Sequence, residues 1–192
     1  MTTLAEGRQR LEFDASWEAI RWDLAPEFKG SMESAFAQLP GGRSVKAADV
    51  IAVRRGREVS PLLLVAEFKD YHRPQLPAAK QQVIAQQAMS KDVQASVVGK
   101  VIDSLAGATF AKDAHGGREA TLERWRSTVG LRRVQLLVLL CVELPPSQAL
   151  ATSPWNTVLK RRLRWLHPSA RVVVTSRQRS FAGLGVTYDV TS

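Results

Sequence analysis

The sequence predicts an α/β protein with a mixed central sheet flanked by helices, and three observations carry that reading. Two strand-like segments, 45–54 (VKAADVIAVR) and 61–69 (PLLLVAEFK), are separated by a short break that begins Arg55-Gly56-Arg57. That is the pattern of an antiparallel hairpin. Residues 77–112 are rich in Ala, Gln, Val and Lys, with no proline after Pro77, and suit helix. Residues 133–143 (RVQLLVLLCVE) are nearly all apolar, as in a strand covered on both faces. A strand, a crossover helix and a parallel strand form a right-handed βαβ unit. Joined to the hairpin, this unit gives a mixed sheet with helices packed on it.

The remaining elements follow in order. Leu11, Phe13, Trp17, Ile20 and Trp22 alternate weakly and predict one or two short strands over 9–23. Pro26 is placed as the first residue of a helix. Phe28, Met32, Ala35, Phe36 and Leu39 recur at helical spacing after it, and Pro40-Gly41-Gly42 stops that helix. Beyond the hairpin, Tyr71-His72-Arg73-Pro74 leaves the sheet. Ile84, Ala88, Val97, Val98, Val101, Ile102 and Leu105 then fit one long helix or two in sequence. Ala114-His115-Gly116-Gly117 reads as a flexible loop, with a short helix over 118–127. Pro145-Pro146 ends the apolar strand. In 155–166, Trp155, Val158, Leu159, Leu163 and Leu166 share one helical stripe, opposite Lys160, Arg161 and Arg164. Residues 171–175 (RVVVT) form a further strand, and the tail after Gly183 is loop or an edge strand.

A chain of 192 residues fits one domain over 1–192 and can bury a core without covalent staples. Its 27 Lys and Arg against 18 Asp and Glu give a net charge of +9, which fits a polyanionic partner. The lone cysteine, Cys141, lies in an apolar run and reads as a buried hydrophobe in a reducing compartment. The start, MTTLAEGRQR, has no apolar signal stretch. The longest apolar run, Val134 to Val142, is interrupted by Gln135 and is far short of the roughly 20 residues that span a bilayer. The expectation is a cytoplasmic protein without a membrane segment.

The chemistry concentrates at one end of the hairpin. Asp49 precedes Val50-Ile51-Ala52-Val53, and Glu67 and Lys69 follow Leu62-Leu63-Leu64-Val65-Ala66. Residues i and i+2 of a strand share a face, so Glu67 and Lys69 project together and Phe68 points away. The start of one hairpin strand lies opposite the end of its partner, which brings Asp49 beside Glu67. Charges that end buried runs must leave the core or meet a partner. Two carboxylates offer hard oxygen ligands for Mg²⁺ or Mn²⁺, and the Phe68 carbonyl is a further ligand candidate. Such an ion would polarise a phosphoryl oxygen and activate water, while Lys69 would orient that water or stabilise developing negative charge.

The run AADVIAV followed by LLLVAEFKDY resembles the D…ExK core of the PD-(D/E)xK nucleases. That superfamily includes restriction endonucleases, Holliday-junction resolvases and small bacterial defence or repair nucleases. The resemblance implies a restriction-endonuclease-like core of helix, hairpin, helix and parallel strand over about 26–143, with the helix and strand of 155–175 packed on it. It implies Asp49 and Glu67 as metal ligands, Lys69 as the catalytic lysine, and hydrolysis of phosphodiester bonds, DNA foremost. It also admits a homodimer whose two sites cut two strands. Ala48 stands where many members have proline, and the first core strand expected before Asp49 is barely visible. Many members add a glutamate from the first helix. Glu33 and Glu27 are the candidates here, Glu33 foremost, and neither lies on the apolar stripe.

Other residues carry weaker signals. Lys100 and Asp103 face the proposed metal site or form a surface i,i+3 pair. Gln82 and Gln86 share a helix face that is either solvated or assists the site. His72 and Arg73 follow the motif and could grip a phosphate at its rim. Lys160, Arg161, Arg164 and Trp165 could track a nucleic-acid backbone and stack on a base; otherwise they are the solvated face and core of an amphipathic helix. Arg124, Trp125, Arg126, Arg132 and Arg133 form a second basic group. His115 and His167 have no Cys or carboxylate at ligand spacing, which argues against zinc. Three functions compete. The first is a metal-dependent nuclease. The second is a nuclease-fold subunit or adaptor of a larger defence or repair complex. The third is a non-catalytic nucleic-acid binder.

Overall fold

The computed structural model describes residues 1–25, 28–29, 45–54, 61–88, 90–110, 135–145, 152–164, 170–176 and 178–191. Most of the helix expected from Pro26, the loop at 114–117, the helix at 118–127, and Glu27, Glu33, His115, Arg124, Trp125, Arg126, Arg132, Arg133, Trp165 and His167 lie outside the described residues.

The chain is α/β, but it builds two sheets rather than one. The strands are β1 (Thr2–Glu6), β2 (Gln9–Phe13), β3 (Trp17–Arg21), β4 (Val50–Arg54), β5 (Leu62–Asp70), β6 (Gln135–Glu143), β7 (Arg171–Thr175), β8 (Arg179–Phe181) and β9 (Val186–Val190). The helices are α1 (Ala78–Gln87), α2 (Lys91–Phe110) and α3 (Thr152–Leu163). A five-stranded mixed sheet runs β3-β4-β5-β6-β7. The meander β3-β4-β5 is antiparallel, and β6 and β7 then add in parallel. The second sheet runs β1-β2-β9-β8, antiparallel throughout.

Strand alternation sets the layers. Leu64, Ala66 and Phe68 of β5, with Leu139 and Cys141 of β6, pack against Leu11, Phe13 and Tyr188 of the antiparallel sheet. The opposite residues, Leu63, Val65, Leu136 and Val138, pack against Val101 and Leu105 of α2. Farther along the same face, Leu140 and Val142 meet Val97 of α2 and Trp155 and Leu159 of α3. The mixed sheet is thus the middle layer, which explains why LLLVAEF and LLVLLCV have no polar face.

The segment expected as strand over 45–54 becomes ladder only at Val50. Before that, the Lys46 amide donates to Asp103 Oδ2 (3.2 Å) and the Ala48 amide donates to Ser104 Oγ (2.7 Å). Side chains of α2 therefore take amides that a strand partner would otherwise take. The helical stretch 77–112 resolves into two helices, as one of its two readings allowed. The tail forms an interior strand, β9, seated between β2 and β8, and not an edge. Gly185 turns the chain into it with φ +68°, and a Cβ there would overlap the Asp14 carboxylate. Only glycine fits that turn without strain. Among the described residues, no helix is long and apolar enough to cross a membrane. Cys141 is fully buried and burial pushes its thiol well up, so it is a packed hydrophobe without thiolate character.

Candidate functional site

The register Val50↔Ala66 places Asp49 one step beyond the ladder, opposite Glu67. Three contacts fix Asp49. Its carbonyl accepts the Trp22 amide at 2.9 Å. Its neighbour Ala48 is held by Ser104. Its Oδ2 accepts the Phe68 amide at 2.6 Å. Asp49 and Glu67 are both buried, at 4% and 2% exposure.

Glu67 and Lys69 share the helix-facing side of β5, and Phe68 lies in the core on the other side, as the period of two requires. Lys69 Nζ is 2.5 Å from Glu67 Oε1. Lys100, from α2, places its Nζ 2.6 Å from the same oxygen and 3.7 Å from Asp49 Oδ1. The sequence offered Lys100 either the metal site or a surface pair with Asp103. It reaches the site, while Asp103 accepts the Lys46 amide.

Burial raises the Glu67 carboxyl above the usual range and repulsion from Asp49 adds to this, against the opposing pull of Lys69 and Lys100. Burial works to lower Lys100, but Glu67 and Asp49 outweigh it and hold the ammonium above its ordinary value. Glu67 Oε2 is buried with no hydrogen-bond partner among the described residues. A buried orphan carboxylate oxygen is a costly feature that a cation would relieve. Asp49 and Glu67 offer only oxygen donors here, the ligand type that suits Mg²⁺ or Mn²⁺.

A second acidic group adjoins Asp49. Ligand oxygens of Glu6, Asp23 and Asp49 lie within 4.8 Å of one another. Arg21 fills this group, with Nη2 3.0 Å from Glu6 Oε2 and 2.8 Å from Asp23 Oδ2. Burial and then Asp49 raise the Glu6 carboxyl. Sequence reasoning missed Glu6, Arg21 and Asp23. Their only signal is charge on or just after short strands, and the pairing that brings Glu6 to the other two is long-range.

His72 and Arg73 do not line the site. His72 Nδ1 sits 3.2 Å from Glu143 Oε1 and touches Arg8, which also pairs with Glu143. Glu143 follows the alternation of Leu139 and Cys141, so it faces the antiparallel sheet, away from Glu67. Arg73 pairs with Asp70 at 2.5 Å. Gln82 and Gln86 are exposed, the solvated alternative.

On α3, Trp155, Leu159 and Leu163 are buried, as the stripe predicts. Thr157, Lys160, Arg161, Arg164 and Ala170 line a groove of about 500 Å³. Lys160, Arg161 and Arg164 are exposed. None of the three makes an ion pair with a described residue. The groove opens beside the start of β7, whose Arg171 aligns with Leu137 and hence with Leu64. Lys69 lies five residues farther along β5, about 16–17 Å in the strand direction at about 3.3 Å per residue.

No protein-family model matches the chain, and neither a curated protein nor a solved structure matches it.

Proposed function

We propose that this chain is a metal-dependent nuclease of the PD-(D/E)xK type, hydrolysing phosphodiester bonds of nucleic acid, with DNA the first substrate to test. One observation carries the reading: two buried carboxylates and two ammonium groups converge where the hairpin ends, and one carboxylate oxygen has no partner among the described residues. Asp49, Glu67 and the Phe68 carbonyl would hold Mg²⁺ or Mn²⁺, which would supply Lewis acidity toward a phosphoryl oxygen and toward water. Lys69 stands on the same carboxylate and is placed to orient water or to stabilise charge building on phosphorus-bound oxygens. The hairpin β4-β5, the helix α2 and the parallel strand β6 come in the order that the resemblance implies, whereas β3 precedes the position expected for the first helix. The test is cleavage of single-stranded, duplex and branched DNA with Mg²⁺ or Mn²⁺, beside Lys69→Ala. Cleavage by the wild type is expected to fall by about 10²-fold or more in the variant, the scale of losing one charge-stabilising donor. Equal rates in both proteins would remove Lys69 from the chemistry.

The groove on α3 supports nucleic acid as the partner, since exposed cations with no ion pair among the described residues, next to a concavity, neutralise phosphates and release counterions. It also favours a second reading, a nucleic-acid binder without catalysis, because it stands apart from the acids. Charge reversal at Lys160 and Arg164 together is expected to weaken oligonucleotide binding and to lower the slope of log K against log salt by about 2. Fluorescence anisotropy across a salt series measures both. An unchanged slope would take the groove out of the interface.

A further inference from the structure

Asp49 and Glu67 carry two negative charges, and Lys69 and Lys100 carry two positive ones within contact of them. These two ammonium groups offset the charge of the two carboxylates, and Arg21 offsets one of the two further acids, Glu6 and Asp23, beside Asp49. Lys100 is held tightly there: its side chain is only 18% exposed, so water screens it poorly. A divalent ion placed on the same two carboxylates would meet two ammonium groups at close range. The repulsion between like charges in a half-buried site is large enough to set the binding constant.

A phosphodiester changes the balance, because each linkage brings a negative charge that an ammonium can take as its new partner. Lys100 is the group able to make that exchange. Its ammonium sits at the end of a flexible four-carbon stem. It approaches from α2, a different element from the strands that carry the acids, so it can turn away without disturbing the hairpin. Lys69 is tied to Glu67 by the strand they share.

We infer that Lys100 is a built-in counter-cation that makes divalent-metal binding conditional on a nucleic-acid phosphate, so that metal and substrate bind cooperatively. The inference rests on the proposed metal-dependent reading and deepens it. By linkage, the factor by which the phosphate tightens metal binding equals the factor by which metal tightens phosphate binding. Lys100 acts here through the carboxylates and is a positioning residue.

The test is calorimetric titration with Mn²⁺, with and without an oligonucleotide carrying cleavage-resistant phosphorothioate linkages. Wild type is expected to bind Mn²⁺ at least about tenfold more tightly with the oligonucleotide present. Lys100→Met, which keeps the length and removes the charge, is expected to bind Mn²⁺ at least about tenfold more tightly than wild type when the oligonucleotide is absent. It should also lose most of the oligonucleotide dependence. Lys100→Arg keeps the charge and should behave as wild type does. Lys100→Gln serves if the methionine variant does not unfold cooperatively. Equal or weaker Mn²⁺ binding by the neutral variants, without oligonucleotide, overturns the counter-cation role while leaving a metal site in place. An absence of Mn²⁺ binding in every protein and condition overturns the metal-dependent reading itself, and this inference with it.

Discussion

Leu140→Ala is expected to destabilise the protein by about 3–5 kcal/mol, the upper part of the usual range for a buried leucine. Leu140 is fully buried in β6, a strand with neighbours on both sides. It packs with Val97 of α2, Trp155 and Leu159 of α3, and Val142 and Val174 of the sheet. Those contacts come from two helices and two strands, so no single element can move in to fill the space. The cost is therefore the lost transfer energy plus nearly the whole cavity term. For a chain of this size such a loss lowers Tm by roughly 6–20 °C. Val83→Ala, at a residue that is 54% exposed on α1, is the matched control and should stay within about 0.5 kcal/mol. Urea unfolding followed by far-UV circular dichroism measures both. A change under about 1 kcal/mol for Leu140→Ala would mean that this helix–sheet junction is loosely packed.

The same junction shows what the sequence could and could not disclose. The middle layer was legible because the runs at 62–66 and 136–142 have no polar face, and only a doubly covered strand tolerates that. The hairpin was legible because its strands are close in sequence, which made the Asp49–Glu67 juxtaposition a short-range deduction. The second sheet was not. β1 reads TTLAE and is largely exposed; pairing with β2, not an apolar pattern, orders it. β9 alternates Val186, Tyr188 and Val190 clearly enough for a strand. Its partner β2, however, is separated from it by nearly the whole chain, and no local rule bridges that distance. The charged groups follow the same division. Lys69 is two residues from Glu67 and was found. Lys100 is 33 residues away, and its partner was decided by how α2 lies on the sheet. Asp23 reaches Asp49 because β3 pairs with β4, and Glu6 because the two sheets stack.

Asp49→Asn is expected to lower cleavage by more than about 100-fold while leaving the fold within about 1 kcal/mol of wild type. Asp49 does two separable jobs. Its Oδ2 accepts the buried Phe68 amide, a structural bond that joins the segment before β4 to β5. Its charge faces Lys100 and raises the Glu67 carboxyl, the electrostatic part. Asparagine keeps an oxygen for the Phe68 amide and removes the charge, so the backbone junction survives. Losing a partner that merely supports a metal ligand costs about 10–100-fold in affinity or activity, so under the proposed metal-ligand role losing the Asp49 charge should cost at least the upper figure. Alanine removes both jobs. Asp49→Ala should therefore lose activity to the same degree and also about 1–3 kcal/mol of stability, the penalty of a buried donor left unpaired. Single-turnover cleavage and urea unfolding on the two variants separate the terms. If the asparagine protein cleaves at a rate close to wild type, the Asp49 charge holds no cation that matters. The convergence of acids and lysines would then be a buried ion-pair network that fastens β5 to α2.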